Sequence, residues 1–243
     1  MLKNTQQKNR SGNRSVAISE LRRSAKKLPV CATLAGILAL SACTADTTPG
    51  VAASPDAVRP KMIGQSAPAF DLRQADGSRY EFAADSLAAP VIIVFYRGGW
   101  CPYCAAHFME LRKAEDAVRE MGYELLFISP DQPEKLAESL TQLDVDYTLL
   151  SDSDMEAAMA FGIAFKVDEA TINRYREIGI DLADSSGREH GLLPVPALFI
   201  IGTNGVIRFQ YVNPNYKVRI SEALLVAAAT AALEQKPLKP LKK

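Results

Sequence analysis

Cys101 and Cys104 are the residues best equipped for chemistry, two thiols spaced C-x-x-C in the run Phe95-Tyr96-Arg97-Gly98-Gly99-Trp100-Cys101-Pro102-Tyr103-Cys104. An apolar run precedes them and a helical pattern follows, so the pair sits where a strand hands over to a helix N-terminus. Unpaired amide N–H groups and a partial positive charge at that end stabilise a thiolate and lower its pKa. Arg97 adds positive charge, Gly98 and Gly99 let backbone N–H groups approach a substrate, and Pro102 fixes the turn while removing a donor. A thiolate placed there is a nucleophile toward a peroxide or a disulfide. A zinc site is the competing reading, but it needs about four protein ligands. Only His107 and His190 remain as soft donors and there is no second C-x-x-C, so no metal is expected. An inert structural disulfide is disfavoured by the position after a buried strand and beside Trp100. His107, one turn beyond Cys104, is either a base or an ordinary packed helix residue.

The elements that must hold this pair are legible in outline. Val91 to Tyr96 (VIIVFY) is a continuous, β-branched apolar run, the pattern of a central strand buried on both faces. Helical periodicity from about Cys101 to Met121 puts Phe108, Leu111, Ala114 and Val118 on one side, and Gly122 ends it. Residues 69–72 and 79–82 alternate around Ala75-Asp76-Gly77-Ser78, an N-terminal β-hairpin signal. Leu125 to Ser129 reads as a second buried strand, Pro133 to Leu143 as a helix, Thr148 to Leu150 as a short strand and Asp154 to Phe161 as a short helix. Ala197 to Ile201 and Val206 to Tyr211 flank Asn204-Gly205 as a second hairpin, and Ser221 caps a last helix to Glu234. Residues 162–191 form a charged stretch with one helix near Glu169 to Ile178, read as a helical insertion that is either a lid over the cysteines or a surface excursion. Strand–helix alternation closed by a hairpin and a helix gives an α/β fold with a mixed central sheet flanked by helices.

The chain has 243 residues, 28 basic and 28 acidic, with 48% hydrophobic content. That composition is ordinary for a globular protein, and the zero net charge argues against a nucleic-acid partner. The balance hides an asymmetry: the first 42 residues carry eight Lys or Arg and only Glu20 as an acid, a basic head on an acidic body. Leu28 to Ala42 (LPVCATLAGILALSA) is apolar, uncharged and too short to span a bilayer, which takes about 20 residues. It has the build of a secretory signal. Leu40-Ser41-Ala42-Cys43 resembles the bacterial lipobox, which implies a lipid on Cys43 and a membrane anchor; Thr44 behind it, by the same resemblance, favours the outer membrane of the bacterial envelope. The expected organisation is a signal at 1–42, a lipid-anchored flexible linker at 43–60, a folded domain at 61–235 and a disordered tail at 236–243. Cys31 leaves with the signal and Cys43 carries lipid, so Cys101 and Cys104 are the two thiols left in the body.

The run from Phe95 to Cys104 resembles the active-site strand and loop of the thioredoxin fold, and in particular the peroxiredoxin-like branch of the AhpC/TSA (redoxin) group. Ile63 to Leu72 is similar to that group's opening strand, Leu193 to Ile201 to the strand carrying the fold's cis-proline, which would be Pro196, and Val212 to Tyr216 with Arg219 to a short motif of the same branch. The resemblance covers about residues 61–233. It implies a thioredoxin-like fold and a thiol-dependent peroxidase: a cysteine attacks a hydroperoxide, becomes a sulfenic acid and is resolved as a Cys101–Cys104 disulfide that an external thiol reductant, thioredoxin-like or a small thiol, reopens. Laid on the family's P-x-x-x-T-x-x-C loop, the peroxidatic position falls on Cys104, the Thr position on Cys101 and the Pro position on Arg97. The later Arg of the family falls on Pro196, leaving Arg97 or Arg219 to substitute. Trp100 and Pro196 are supporting residues in this reading, and no cofactor is implied. The intact W-C-x-x-C supports an alternative, a thiol–disulfide oxidoreductase acting on envelope proteins, in which Cys101 attacks and Cys104 releases.

Overall fold

The structure, a computed structural model, describes residues 50–143 and 147–234; Cys43, the signal and the tail lie outside them. Seven strands form one mixed sheet. Two of them, β2 (Phe70–Gln74) and β3 (Arg79–Phe82), are the N-terminal hairpin. β4 (Val91–Phe95), β5 (Glu124–Ser129) and β6 (Thr148–Ser151) run parallel. β9 (Ala197–Ile201) and β10 (Ile207–Val212) form the second hairpin, with β9 antiparallel to β4. The spatial order is β10-β9-β4-β5-β6-β2-β3, so β4, the strand that ends at the cysteine loop, lies inside the sheet.

Every residue of β4 is buried, and its pleat divides them between two cores. Ile92 and Val94 face the core shared with α1 (Pro102–Glu120) and α6 (Glu222–Leu233); Val91, Ile93 and Phe95 face the other. A strand covered on both faces needs an uninterrupted apolar run, which is why VIIVFY shows no alternation. α1 buries Phe108, Leu111, Ala114 and Val118, the stripe expected from its spacing. α2 (Pro133–Leu143) adds Leu136 to the same core, and α3 (Glu156–Ala160) adds Ala157 and Ala158 to the opposite one. Ser221 caps α6, its hydroxyl accepting from the Leu224 amide at 3.3 Å. A mixed sheet with helices on both faces is the expected fold class, an α/β sandwich.

Two expectations need correction. Residues 51–60 are not a free tether: Val51 and Ala52 form β1, Pro55–Ala57 a 3-10 turn, and Val58 is buried. Backbone hydrogen bonds from Arg59 and Lys61 to the carbonyls of Gly162 and Phe161 hold that stretch to the body. The domain therefore begins earlier than residue 61. The insertion is likewise more ordered than one helix and loops. It contains β7 (Ala164–Lys166), α4 (Glu169–Glu177), α5 (Leu182–Ser186) and β8 (Leu192–Pro194); β1, β7 and β8 make a second, three-stranded sheet. Short strands paired to a remote N-terminal segment leave no local periodicity to read.

Gly205 closes the second hairpin at φ +70°, and a Cβ there would run into the Ala84 carbonyl. Gly205→Ala is expected to destabilise the fold by about 1–3 kcal/mol, from left-handed strain and the clash. Urea unfolding monitored by far-UV circular dichroism measures it, and an unchanged midpoint would contradict the argument.

Candidate active site

The chain leaves β4 at Phe95 and turns through Tyr96-Arg97-Gly98-Gly99-Trp100 before α1 begins at Pro102. Cys101 is the N-cap residue, with extended backbone angles (φ −91°, ψ 114°), and its carbonyl accepts the amides of Cys104 and Ala105. Gly98 is at φ +143°, and a Cβ on it would collide with the Trp100 indole nitrogen, so this step of the turn takes no side chain. The Gly99 amide does not face a substrate, as the sequence suggested. It donates to Asp131 Oδ2 at 2.7 Å.

Both thiols are free and nearly inaccessible, each 1% exposed, and each has its own guanidinium. Arg97 Nη1 lies 3.8 Å from Cys101 Sγ, and Arg219 Nη2 lies 3.8 Å from Cys104 Sγ. The two sulfurs are not equivalent. A hydrogen bond from the Cys104 thiol pulls the Cys101 pKa down to about 6 against the cost of burial, helped by Arg97 and by the amides of Cys104 and Tyr103. The same hydrogen bond, with burial and the neighbouring thiolate, pushes Cys104 well above the usual thiol range, although Arg219 acts against it. In the reduced pair the negative charge sits on Cys101 and the proton on Cys104. The family register puts the attacking position on Cys104, so register and electrostatics single out different members of one pair.

Arg97 is 4% exposed and caged by aromatics. Its guanidinium carbon stands 5.0, 5.5 and 4.2 Å from the ring centroids of Trp100, Tyr175 and Tyr216, and Nη2 donates to the Tyr175 hydroxyl. Cation–π contacts are strongest when desolvated, as here. Tyr175 comes from α4, so the insertion contributes directly to the site. It also packs on Trp100, centroids 5.7 Å apart. Tyr103, 40% exposed, meets Tyr216 edge-on. A cavity of about 570 Å³ has Arg97 in its lining, with Tyr175, Ile178, Pro196, Pro214 and Tyr216 among others. Pro196, buried between β8 and β9, lines the same cavity as Arg97.

Among the remaining sequence candidates, His107 is buried, its pKa driven down to about 4 mainly by desolvation with Arg219 beside it, so it is neutral and a weak base. His190 is structural: Nε2 meets the Ser153 carbonyl and Nδ1 accepts the Leu192 amide. Tyr96 and Phe108 belong to the core. Two participants escaped sequence reasoning. Tyr175 carries no local signal, because only the tertiary fold brings it over Arg97. Asp131 had one: an acid two residues after the buried strand Leu125–Ser129, where an unpaired carboxylate is costly.

A thiol at a helix N-cap position with a buried guanidinium beside it, on a thioredoxin-like fold, defines a thiol-based oxidoreductase. The comparisons then fix the family: residues 63–210 match the AhpC/TSA family, and the chain belongs to it. The peroxiredoxin Bcp of Escherichia coli K12 is 32% identical over 106 residues, spanning 44% of this chain and 67% of that protein. Among solved structures, peroxidoxin BcpB of Mycobacterium tuberculosis aligns with a TM-score of 0.54 at 20% identity, over 72% of this chain and 98% of its own. AhpC of Enterococcus faecalis aligns at 0.55 and 19%, over 74% and 99%. At those identities the structural likeness speaks for the fold alone.

Replacing Arg97 by Met removes the cation that favours the Cys101 thiolate, so the thiolate titration should move upward by about one pH unit or more. Arg97→Lys, which keeps the charge, should move it less. Ultraviolet thiolate absorbance across pH measures both; an Arg97→Met midpoint equal to wild type would remove Arg97 from the electrostatics of the pair.

Proposed function

We propose that the chain is a peroxiredoxin-type, thiol-dependent peroxidase in which Cys101 attacks and Cys104 resolves. The observation that carries this order is the placement of the reduced pair's charge on Cys101, with Cys104 as hydrogen-bond donor to it. Nucleophilicity belongs to the thiolate, and Cys101 is largely thiolate near neutral pH.

The Cys101 thiolate attacks the terminal oxygen of a hydroperoxide. An S–O bond forms, the O–O bond breaks, and the departing alkoxide takes a proton from solvent to leave as an alcohol. Sulfur gains two oxidation levels and becomes a sulfenic acid, and the peroxide is reduced. Arg97, 3.8 Å from that sulfur, offers N–H groups to the oxygen on which charge develops. Cys104 then attacks the Cys101 sulfur: the S–S bond forms, the S–O bond breaks, and hydroxide leaves with the Cys104 proton as water. An external dithiol, or two monothiols, reopens the disulfide and is itself oxidised to a disulfide. This last step is ordinary thiol–disulfide exchange, so the oxidoreductase activity weighed above uses the same sulfur. The peroxide reading is favoured by kinship with the peroxiredoxin Bcp of E. coli.

Cys104 as the attacking thiol is the second reading. Its support is the family register and the Arg219 guanidinium 3.8 Å from Cys104 Sγ, in the role that the family gives to a later arginine. The proposal extends to location. The basic head, the short apolar run and Leu40-Ser41-Ala42-Cys43 support export, removal of residues 1–42 and lipidation of Cys43, with the domain held at the envelope membrane facing the periplasm, at its outer membrane. The linker then reduces to the residues between Cys43 and β1.

Two experiments test these points. Peroxide oxidation of the reduced protein, followed by stopped-flow Trp100 fluorescence and sulfenic-acid trapping, should fall by about three orders of magnitude or more in Cys101→Ser, as for loss of a nucleophile. It should survive for a single turnover in Cys104→Ser, with the sulfenic acid accumulating. The reverse pattern would establish the Cys104 order. Separately, radiolabelled palmitate should enter the full chain expressed in a bacterial host and not its Cys43→Ser variant; an unlabelled wild type would rule out the anchor.

A further inference from the structure

Beneath the loop that leads into the redox pair lies a carboxylate that the peroxidase chemistry above does not use. Asp131 is 1% exposed, in the loop between β5 and α2. Its Oδ2 accepts the Gly99 amide at 2.7 Å and the Ser129 hydroxyl at 3.2 Å. Its Oδ1 is buried without a hydrogen-bond partner. A Cβ on Gly98 would lie 2.7 Å from that oxygen, which places it directly under the turn preceding Cys101. The buried Tyr96 hydroxyl, also unpartnered, feels the same carboxylate. A cavity of about 580 Å³ between Gly99, Trp100, α2 and α5 has Asp131 in its lining.

We propose that Asp131 is a positioning residue for the redox pair, anchoring the Gly98–Gly99 turn through one oxygen and setting, by the proton it holds or releases, how much of Cys101 is thiolate near neutral pH. The inference rests on the thiolate reading of Cys101. Asp131 lies under the turn that leads into Cys101, and two acids sharing a desolvated site resist being anionic together, so each raises the other's pKa. Burial above all, with a smaller contribution from the Cys101 charge, holds Asp131 up at about 7 against the Gly99 amide, the Ser129 hydroxyl and Lys135. The charged and titratable groups around it are few. Cys101 and Tyr96 lie on the loop and strand-end side, Lys135 and Glu138 come from α2, and Asp181 and Asp184 stand on the α5 rim. Lys135, the one cation among these, is 3.1 Å from Asp184 and 3.9 Å from Glu138, so its charge is shared at the rim.

The linkage has a direction. In the reduced protein burial and the thiolate together keep Asp131 partly protonated near neutral pH. When the disulfide forms, the thiolate charge disappears, the Asp131 pKa falls, and its protonated fraction falls with it. Oxidation therefore expels a fraction of a proton from a residue that is not a cysteine.

Asp131→Asn tests this, because the amide oxygen still accepts from Gly99 while the charge is gone. Thiolate absorbance of the reduced protein should titrate about one pH unit lower than wild type, over a narrower range. An unchanged midpoint and width would reduce Asp131 to a turn anchor and overturn the proposal. A second measurement needs only wild type and covers the case in which the variant does not fold. The reduced-minus-oxidised infrared difference spectrum near neutral pH should show a positive carboxylic-acid C=O band, because the protonated fraction of Asp131 falls on disulfide formation. A difference spectrum without that band overturns the proposal as well. Neither readout uses peroxide, so a failure here is distinguishable from a failure of the peroxidase reading.

Discussion

A buried guanidinium facing a buried thiolate is the interaction around which the site is organised. Arg97 is 4% exposed and makes no ion pair with a carboxylate among the described residues; its nearest anion is the Cys101 sulfur at 3.8 Å. A buried charge is costly unless it is paired, and an aromatic cage with one phenol hydroxyl compensates only part of that cost. The reduced site satisfies Arg97 through the thiolate. Disulfide formation removes that anion and leaves the guanidinium to the rings of Trp100, Tyr175 and Tyr216. The arrangement therefore favours the dithiol over the disulfide, which makes the oxidised pair a readier acceptor of electrons from an external thiol.

Each layer of the fold serves that contact. β4 is buried on both faces and sits between β9 and β5, so the loop that leaves it starts from a fixed point. α1 begins at Pro102 and turns its amide end toward Cys101. The turn into β9 places Pro196 on the cavity that Arg97 also lines, and the segment after β10 brings Tyr216 to Arg97 and Arg219 to Cys104. The insertion is the least expected contributor. Its own small sheet, completed by β1 from the N-terminal side, holds α4 so that Tyr175 covers Arg97 and packs on Trp100. Its order is tied to the site as well as to the surface.

Most of the main sheet was legible in the sequence because its signals are local. The buried runs Val91–Tyr96 and Leu125–Ser129, the Asn204-Gly205 turn, the Ser221 cap and the Phe108–Leu111–Ala114–Val118 stripe each declare an element within a few residues, and each element is present. The second sheet was not legible. Val51 and Ala52 pair in parallel with Ala164 and Phe165, more than a hundred residues away, and two-residue strands carry no period. The redox pair and Arg97 were found from residue type and spacing. Tyr175 and Asp131 were not, since their roles come from partners distant in sequence: a guanidinium 78 residues away and an amide 32 away. The glycines of the loop were identified but misread, as the Gly99 amide is taken by Asp131.

The measurement that bears most directly on the charge assignment is a ¹³C NMR titration of the reduced protein with β-carbon-labelled cysteine, the Cys101 and Cys104 signals being assigned with the Cys→Ser variants. The Cys101 β-carbon should titrate with a midpoint near the value of about 6 that Cys104 and Arg97 impose on it, while the Cys104 signal stays in its thiol position through neutral pH. If Cys104 titrates first and Cys101 remains a thiol, the thiolate belongs to the other sulfur and the order of attack reverses with it.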